Sequence, residues 1–265
     1  MSSDSVLGLG VYQSRPGSET YDAVVAALRL GYRHIDSAQA YRNESDVGRA
    51  VRDSGIPREQ VFVTSKMYSA TWSYDGVLSS VRASNDTLGL GYIDLFLLHS
   101  PSDNINRADA WRALEDLQRE GVVRDIGVSN FGEKHLRKLA ETWRVKPAVN
   151  QIELHPWLQR SDTVAFCEAQ GIFLEAYSPL ARATKMKDPV LLQIAKEANA
   201  TGAQVLVAWS IAKGFITLPK SVHETRIKEN LGAAGVTLSA EQLQKLDALD
   251  ENHITCWDPI SSDPI

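Results

Sequence analysis

The chain has 265 residues, a formal net charge of −5 and 43% hydrophobic residues. This composition is typical of a globular protein with a large core, and the mildly acidic balance gives no reason to expect a nucleic acid or an anionic membrane as partner. Residues 1–6 are polar without the apolar stretch of a signal peptide, no apolar run reaches the ~18 residues of a membrane span, and Cys167 and Cys256 share no short motif. These features predict a soluble cytoplasmic protein.

Short apolar runs alternate along the chain with longer segments that carry apolar residues at helical spacing. The runs predicted as strands are 6–9, 33–36, 61–65, 93–98, 123–128, 148–152, 172–177 and 215–218. In the first helical segment Val24, Ala27 and Leu28 fall at i, i+3 and i+4, and the same spacing recurs in 77–88 and 190–198. Strands that alternate with helices imply parallel pairing through right-handed crossovers.

This alternation fits either an open doubly wound sheet or a closed barrel. Eight strand–helix units in 265 residues favour the barrel, as a single domain over residues 1–265. A doubly wound dinucleotide fold carries G-x-G-x-x-G at an early strand-to-helix turn, whereas Gly8-Leu9-Gly10 has no third glycine in the required place. The predicted fold class is therefore α/β, a (β/α)8 TIM barrel.

Polar residues cluster at the carboxyl ends of the predicted strands, where barrels of this kind build their active sites. Asp36 closes the second strand, Lys66 follows the third and His99 closes the fourth. The polar residues at the later strand ends are Ser129, Asn130, Gln151, Glu153, Tyr177, Ser178, Lys220 and Ser221. Taken singly, each is explained by a helix cap, a surface lysine or a hydrogen-bonded core residue. Together, polar residues at seven strand ends that share one rim indicate a functional site.

The chemistry of this cluster depends on Tyr41, which lies five residues beyond Asp36 on the loop to the next helix. A free tyrosine has a pKa of about 10, and a neighbouring ammonium lowers it because it favours the phenolate. Lys66 is a candidate for that ammonium, Asp36 for its ion-pair partner, and His99 for a hydrogen-bond donor to a substrate oxygen. Such a phenol suits proton donation to a carbonyl oxygen. Because the chain has no nucleophile or metal motif, a bound hydride donor would attack the carbon.

Seven segments resemble the aldo-keto reductase family, in an order and spacing that cover nearly the whole chain. They are GYRHIDSAQAYRNE (31–44), VFVTSK (61–66), YIDLFLLHSP (92–101), IGVSNF (126–131), VNQIELHP (149–156), AYSPL (176–180) and PKSVHETRIKEN (219–230). The resemblance implies a (β/α)8 barrel that binds NADPH across its top without a Rossmann motif. It also implies an NADP-dependent oxidoreductase that reduces aldehydes and ketones, with a monomer as the usual state.

Matched by position, Asp36, Tyr41, Lys66 and His99 resemble the family's catalytic tetrad, with Tyr41 as proton donor and no metal. The residues that the resemblance assigns to NADPH are Ser129, Asn130 and Gln151 at the carboxamide, Tyr177 against the nicotinamide ring, Ser178 and Leu180 at the pyrophosphate, Lys220, Ser221 and Arg226 at the 2′-phosphate, and Glu229 and Asn230 near the adenine. The phosphate assignment also has a physical basis, because Arg226 enters a helix whose N-terminus favours anions.

The chain departs from the family where the substrate would bind. The hairpin that usually plugs the bottom of the barrel is reduced or absent, and the loop after His99, the segment 181–187 and the tail after Asp250 are short. Loop variation sets specificity in barrels, so the physiological carbonyl is not specified. The residues expected to line an open, mixed substrate pocket are Tyr12, Tyr68, Trp72 and Trp257.

Two other functions fit parts of the pattern. A non-catalytic, NADPH-sensing regulatory barrel fits the fold, although the intact set of four rim residues argues against loss of catalysis. A barrel hydrolase could use Asp36 with Glu153 or Glu175, since paired carboxylates at strand ends can cleave glycosides. That reading leaves Lys66 and Tyr41 unexplained.

Overall fold

Eight parallel strands surround a central axis in the computed structural model, which describes residues 6–67, 72–102 and 105–262. The strands are β1 (Leu9–Gly10), β2 (His34–Asp36), β3 (Phe62–Met67), β4 (Ile93–Leu98), β5 (Val123–Ser129), β6 (Val149–Glu153), β7 (Phe173–Tyr177) and β8 (Ile216–Leu218). They pair in sequence order, and bridges from Leu7 to Thr217 and from Gly10 to Lys220 join the two ends of the sheet. The predicted (β/α)8 barrel is confirmed.

Helices follow the strands and cover the outside of the barrel. They are α1 (Ser18–Leu30), α2 (Glu44–Asp53), α3 (Tyr74–Leu88), α4 (Arg107–Arg119), α5 (Glu133–Ala140), α6 (Ser161–Gln170), α7 (Pro189–Glu197), α8 (Gly202–Ala212), α9 (Glu224–Gly232), α10 (Ala240–Asp247) and α11 (Pro259–Ser262). Single 3-10 turns lie at Gln39–Tyr41, Arg58–Gln60, Ala181–Ala183 and Ala233–Gly235. Within the described ranges, none of these helices is long and apolar enough to cross a membrane.

Alternation along the strands separates two packed regions. In β4, Phe96 and Leu98 belong to the large core between the sheet and the helices, whereas Leu95 and Leu97 form a smaller cluster with Val149. Because successive side chains of a strand point to opposite faces, this smaller cluster fills the barrel interior. Buried polar side chains, Lys66 and Glu175 among them, share the barrel interior with this cluster.

Most strand boundaries differ from the sequence prediction by one to three residues, and the end of β3 matters for the site. Lys66 lies inside β3 rather than after it, because the ladder with β4 continues through the pairs of Lys66 with Leu97 and Met67 with Leu98. Its side chain therefore points into the barrel instead of leaving from a loop. β1 is shorter than the predicted 6–9 run at its start, where residues 6–8 meet β8 only through isolated backbone bonds to Thr217.

Helix α2 lies directly against the end of α3 at Gly48. A Cβ atom added there would lie 1.9 Å from the carbonyl oxygen of Leu88. Arg52, one turn later in α2, donates a hydrogen bond to that same oxygen at 2.5 Å. The absence of a side chain at Gly48 thus permits the contact that holds α2, the helix directly after the Tyr41 loop.

Gly48→Ala is expected to lower the free energy of unfolding by about 3 kcal/mol, because the added methyl group forces the backbone of two helices apart. Urea unfolding followed by circular dichroism measures this change. The control is Gly235→Ala, where an added Cβ meets no atom within 4 Å and a change of no more than about 0.5 kcal/mol is expected. Equal stability of Gly48→Ala and the wild type would contradict the close contact.

Candidate active site

Four side chains converge at the carboxyl rim of the barrel, from β2, β3, the loop after β2 and the residue after β4. Lys66 Nζ lies 2.6 Å from Asp36 Oδ1 and donates to the carbonyl oxygen of Ser37 at 2.9 Å. The Tyr41 hydroxyl lies 3.5 Å from the same ammonium. The His99 ring stands edge-on to the Tyr41 ring, with the centroids 5.8 Å apart. The structure brings together the four residues of the predicted tetrad.

Lys66 and Asp36 form a buried ion pair that sets the position of the others. The Lys66 side chain is wholly buried and the Asp36 side chain is 6% exposed. Burying two charges costs several kcal/mol each, so both must be paired and hydrogen-bonded. The second carboxylate oxygen of Asp36 accepts a hydrogen bond from the Gln151 side-chain nitrogen at 2.8 Å. Asp36 is thus held from two sides within the barrel.

The loop that carries Tyr41 is fixed by Asn43, a residue whose role the sequence did not reveal. Asn43 is wholly buried; its oxygen accepts from the Ser37 hydroxyl at 2.7 Å, and its nitrogen donates to the carbonyl oxygen of Val11 at 3.1 Å. An asparagine directly before a helix usually indicates an N-cap, but the Asn43 side chain makes no cap bond to α2. It ties the Tyr41 loop to the loop after β1 instead.

The pKa of Tyr41 moves opposite to the sequence expectation. Burial, followed by the negative charge of Asp36, raises the pKa of Tyr41 well above its usual value. The expected lowering by Lys66 is wrong for this state because the Lys66 charge is already matched by Asp36 at 2.6 Å, closer than the phenol at 3.5 Å. Tyr41 is consequently a neutral hydrogen-bond donor at pH 7.

His99 is also neutral. Burial, together with the positive charge of Lys66, lowers the pKa of His99 to about 3. A neutral imidazole keeps one N–H to donate, and it adds no second positive charge beside Lys66. The site therefore offers a neutral phenol and a neutral imidazole next to one paired ammonium.

A cavity of about 320 Å³ opens above these groups, and we call it the catalytic cavity. Of the predicted site residues, those that line it are Tyr12, Asp36, Tyr41, His99, Ser129, Asn130, Gln151, Tyr177, Ser178, Lys220 and Trp257. Lys66 lies beneath its floor. Cys256 also lines the cavity, and it was missed because a lone cysteine near the end of the chain carries no motif.

Hydrogen bonds order the side chains on the far wall of the catalytic cavity. The Tyr177 hydroxyl donates to the Asn130 side-chain oxygen at 2.8 Å, and the Asn130 nitrogen donates to the carbonyl oxygen of His99 at 2.9 Å. The Ser129 hydroxyl donates to the carbonyl oxygen of Gln151 at 2.8 Å. The Tyr177 ring and this amide-rich wall are thus preorganised around the same space as Tyr41.

A second cavity of about 460 Å³, the outer cavity, shares Tyr12, Ser178 and Lys220 with the first. Every residue predicted for the pyrophosphate, the 2′-phosphate and the adenine lines it, namely Ser178, Leu180, Lys220, Ser221, Arg226, Glu229 and Asn230. Arg226 stands in the first turn of α9, where backbone N–H groups and the helix dipole favour an anion. The two cavities together suit an elongated ligand with a negative charge at its outer end.

The four aromatic residues expected at the substrate pocket have different positions. Tyr12 and Trp257 line the catalytic cavity and are 47% and 41% exposed. Trp72 is wholly buried in the core between sheet and helices and is not among the described residues that line either cavity. The sequence could not separate a packing tryptophan from a lining one, since both occur in loops near the rim. Tyr68 lies outside the described residues.

Glu153 and Glu175, either of which could be the second carboxylate of a hydrolase beside Asp36, have other contacts. Glu175 is wholly buried below Gln151, whose side-chain nitrogen donates to it at 2.6 Å. Burial, followed by the charge of Asp36, raises the pKa of Glu175 to about 8. Glu153 is bound to the segment near Thr255. Neither lines the catalytic cavity, and no group of three or more metal-ligating side chains occurs within the described part of the chain.

A parallel eight-stranded barrel with polar side chains converging on a cavity at its carboxyl rim is the arrangement of a barrel enzyme. Residues 6–251 match the Aldo/keto reductase family, and the chain belongs to this family. It is therefore an oxidoreductase, with carbonyl reduction as its general chemistry.

Several similar proteins align with this chain over most of their length. It is 42% identical to the 9,11-endoperoxide prostaglandin H2 reductase of Trypanosoma cruzi, over 96% of this chain and 90% of that protein. It is also 42% identical to the glyoxal reductase of Bacillus subtilis, over 92% of this chain and 88% of that protein. The crystal structure of MGS-M4, an aldo-keto reductase from a deep-sea metagenome library, has a TM-score of 0.93 at 36% identity, over 98% and 96%.

The raised pKa of Glu175 predicts that the difference in stability between the wild type and Glu175→Gln depends on pH. Between its usual pKa of 4.5 and its folded pKa of about 8, the folded chain keeps a proton that the unfolded chain loses. The contribution of Glu175 to the free energy of unfolding is therefore complete below about pH 4.5, and it declines as the pH rises to about 8. Glu175→Gln lacks this decline, so its free energy of unfolding relative to the wild type is expected to rise from pH 5 to pH 8, by at most about 5 kcal/mol.

Urea unfolding of both proteins at the two pH values measures this difference. The control is Glu168→Gln, a change on the exposed face of α6, for which the same difference from the wild type is expected at both pH values. A Glu175→Gln difference that does not change with pH would show that Glu175 is ionised in the fold.

Proposed function

We propose that this protein reduces aldehydes and ketones to alcohols, with NADPH as the hydride donor and Tyr41 as the proton donor. One observation carries the proposal: the Tyr41 hydroxyl faces the catalytic cavity, 3.5 Å from Lys66 Nζ, with the buried Lys66–Asp36 pair behind it. His99 lines the cavity beside the same phenol. A carbonyl oxygen that enters this space can accept hydrogen bonds from both rings.

The direction of the pKa shifts supports proton donation by Tyr41. Hydride addition turns a carbonyl oxygen into an alkoxide, which is far more basic than a phenolate, so a phenol with a raised pKa still loses its proton to it. The phenolate that remains has Lys66 Nζ at 3.5 Å, and this ammonium offsets part of the cost that burial and Asp36 impose on the negative charge. Neutral His99 orients the oxygen without competing as an acid, since its pKa of about 3 leaves it unprotonated at pH 7.

The residues around the two cavities fit NADPH. The Tyr177 ring would stack against the nicotinamide, while Ser129, Asn130 and Gln151 offer hydroxyl and amide groups for the carboxamide. At the outer end Lys220, Ser221 and Arg226 combine two cations with a hydroxyl near the start of α9, the donors that a phosphate prefers. Bound NADPH supplies the hydride. Ser178 and Leu180 of the outer cavity would contact the pyrophosphate, with Glu229 and Asn230 near the adenine.

The alternative functions receive less support. A glycosidase needs two carboxyl groups facing the substrate on either side of the scissile bond. Here Asp36 is engaged by Lys66 and Gln151, and Glu175 is wholly buried beneath them. A non-catalytic NADPH sensor would not need a phenol, an ammonium and an imidazole converging on one cavity.

Tyr41→Phe is expected to lower kcat for NADPH-dependent aldehyde reduction about 100- to 10,000-fold, because the proton donor is removed. NADPH binding, measured by fluorescence titration, is expected to stay within about twofold, since the ring remains. The control is Tyr21→Phe, which removes an exposed hydroxyl bonded to Asp53 on the outside of the barrel and leaves kcat unchanged. Near-wild-type turnover by Tyr41→Phe would disprove the assigned role.

Arg226→Ala is expected to weaken NADPH binding about tenfold and to leave NADH binding unchanged, because a charge-assisted bond to the 2′-phosphate is lost. Fluorescence titration with both cofactors measures this. Lys228→Ala is the matched control, a cation in the same helix that does not line the outer cavity. If Arg226→Ala weakened the binding of NADPH and NADH equally, Arg226 would not account for a preference for NADPH.

A further inference from the structure

A segment without regular secondary structure, residues 251–258, lies over the barrel rim beside the catalytic cavity. The backbone N–H groups of Glu251 and His253 both donate to the carbonyl oxygen of Trp157, at 3.3 and 2.8 Å. At its other end Asp258 pairs with Arg160 at 2.7 Å. Both ends are thus attached to the loop between β6 and α6. We call residues 251–258 the rim segment.

The middle of the rim segment is attached to one carboxylate, that of Glu153. This residue ends β6 and is 1% exposed. It accepts hydrogen bonds from the backbone N–H groups of Thr255 at 3.0 Å and Cys256 at 3.4 Å, and the Thr255 hydroxyl donates to it as well. The His155 side-chain nitrogen lies 3.2 Å from the same carboxylate.

A carboxylate suits this position better than an amide. An ionised carboxyl offers four lone-pair sites and no donor, whereas a glutamine would turn an NH2 group toward some of the donors that surround it. Hydrogen bonds to an ionised acceptor are also stronger than neutral ones. Burial alone raises the pKa of Glu153, but the hydrogen bonds from His155 and Thr255 outweigh it, and the pKa is lowered overall.

The residues fixed by Glu153 form one wall of the catalytic cavity, although Glu153 itself does not line it. Cys256 follows Thr255 directly, and Trp257 comes next; both line the cavity. The Trp257 ring stands edge-on to His99, with the centroids 6.5 Å apart, and Tyr12 contributes another ring near Tyr41, with centroids 5.1 Å apart. The substituent of a carbonyl held at Tyr41 would therefore meet aromatic surface set by the rim segment.

We propose that Glu153 is a positioning residue for substrate recognition, which holds Thr255 and Cys256 so that Trp257 packs against carbonyls with an aromatic substituent. This inference rests on the proposed function. Small carbonyls reach Tyr41 and His99 without meeting Trp257, so they do not depend on Glu153. Glu153 thereby acquires a role in selectivity rather than the acid–base role that a hydrolase would give it.

The test is steady-state kinetics with NADPH and two substrates, benzaldehyde and glyoxal, for the wild type, Glu153→Gln, Trp257→Ala and the double variant. We expect Glu153→Gln to raise KM for benzaldehyde about tenfold with kcat nearly unchanged, and to leave KM for glyoxal within about twofold. The double variant is expected to match Trp257→Ala alone, because both changes remove the same wall. Glu168→Gln on the exposed face of α6 is the control.

Thr255→Val is a milder second variant, which removes only one donor to Glu153 and keeps the fold even where Glu153→Gln does not; a smaller rise in KM for benzaldehyde alone is expected. Equal KM changes for both substrates, or additive effects in the double variant, would show that Glu153 serves only general stability and would overturn the inference. Unchanged KM values in both Glu153→Gln and Thr255→Val would also overturn it. Failure of the wild type to oxidise NADPH with either aldehyde would instead overturn the proposed function, and this inference with it.

Discussion

The buried ion pair between Lys66 and Asp36 is the interaction on which the site depends. A wholly buried ammonium requires a matched charge, and the register of β2 and β3 brings Asp36 to 2.6 Å from it. The Lys66 side chain is wholly buried and the Asp36 side chain is 6% exposed. Because solvent screens such a buried pair poorly, its electrostatic effect on Tyr41 is stronger than it would be in water.

Burial is the main reason why the two proton-bearing groups at the cavity stay neutral. It raises the pKa of Tyr41, with Asp36 adding to the rise, and it lowers the pKa of His99 to about 3, with a smaller contribution from the Lys66 charge. The site is therefore arranged for charge that develops during the reaction rather than for charge held at rest. Preorganised groups of this kind contribute most when the transition state carries the charge.

Much of the fold and the cluster could be predicted because both follow from periodicity and strand ends. The eight strands appear as apolar runs, Asp36 and His99 lie where two of those runs end, and Tyr41 lies on the loop that follows Asp36. What could not be predicted depends on the direction of side chains and on contacts distant in sequence. The roles of Glu153 and Asn43 arise from partners more than 100 and about 30 residues away. The pKa of Tyr41 was expected in the wrong direction because the sequence shows a neighbouring lysine but not its burial.

The most direct measurement follows deuterium from NADPH that is labelled at the transferred C4 position, in single-turnover reactions with an aldehyde, for the wild type and Lys66→Met. If the buried pair supports proton transfer by Tyr41, the wild type places one deuterium on the alcohol carbon, and Lys66→Met binds NADPH but transfers deuterium at least about a hundredfold more slowly. Transfer by Lys66→Met at the wild-type rate, or an alcohol product without deuterium from the wild type, would contradict this mechanism.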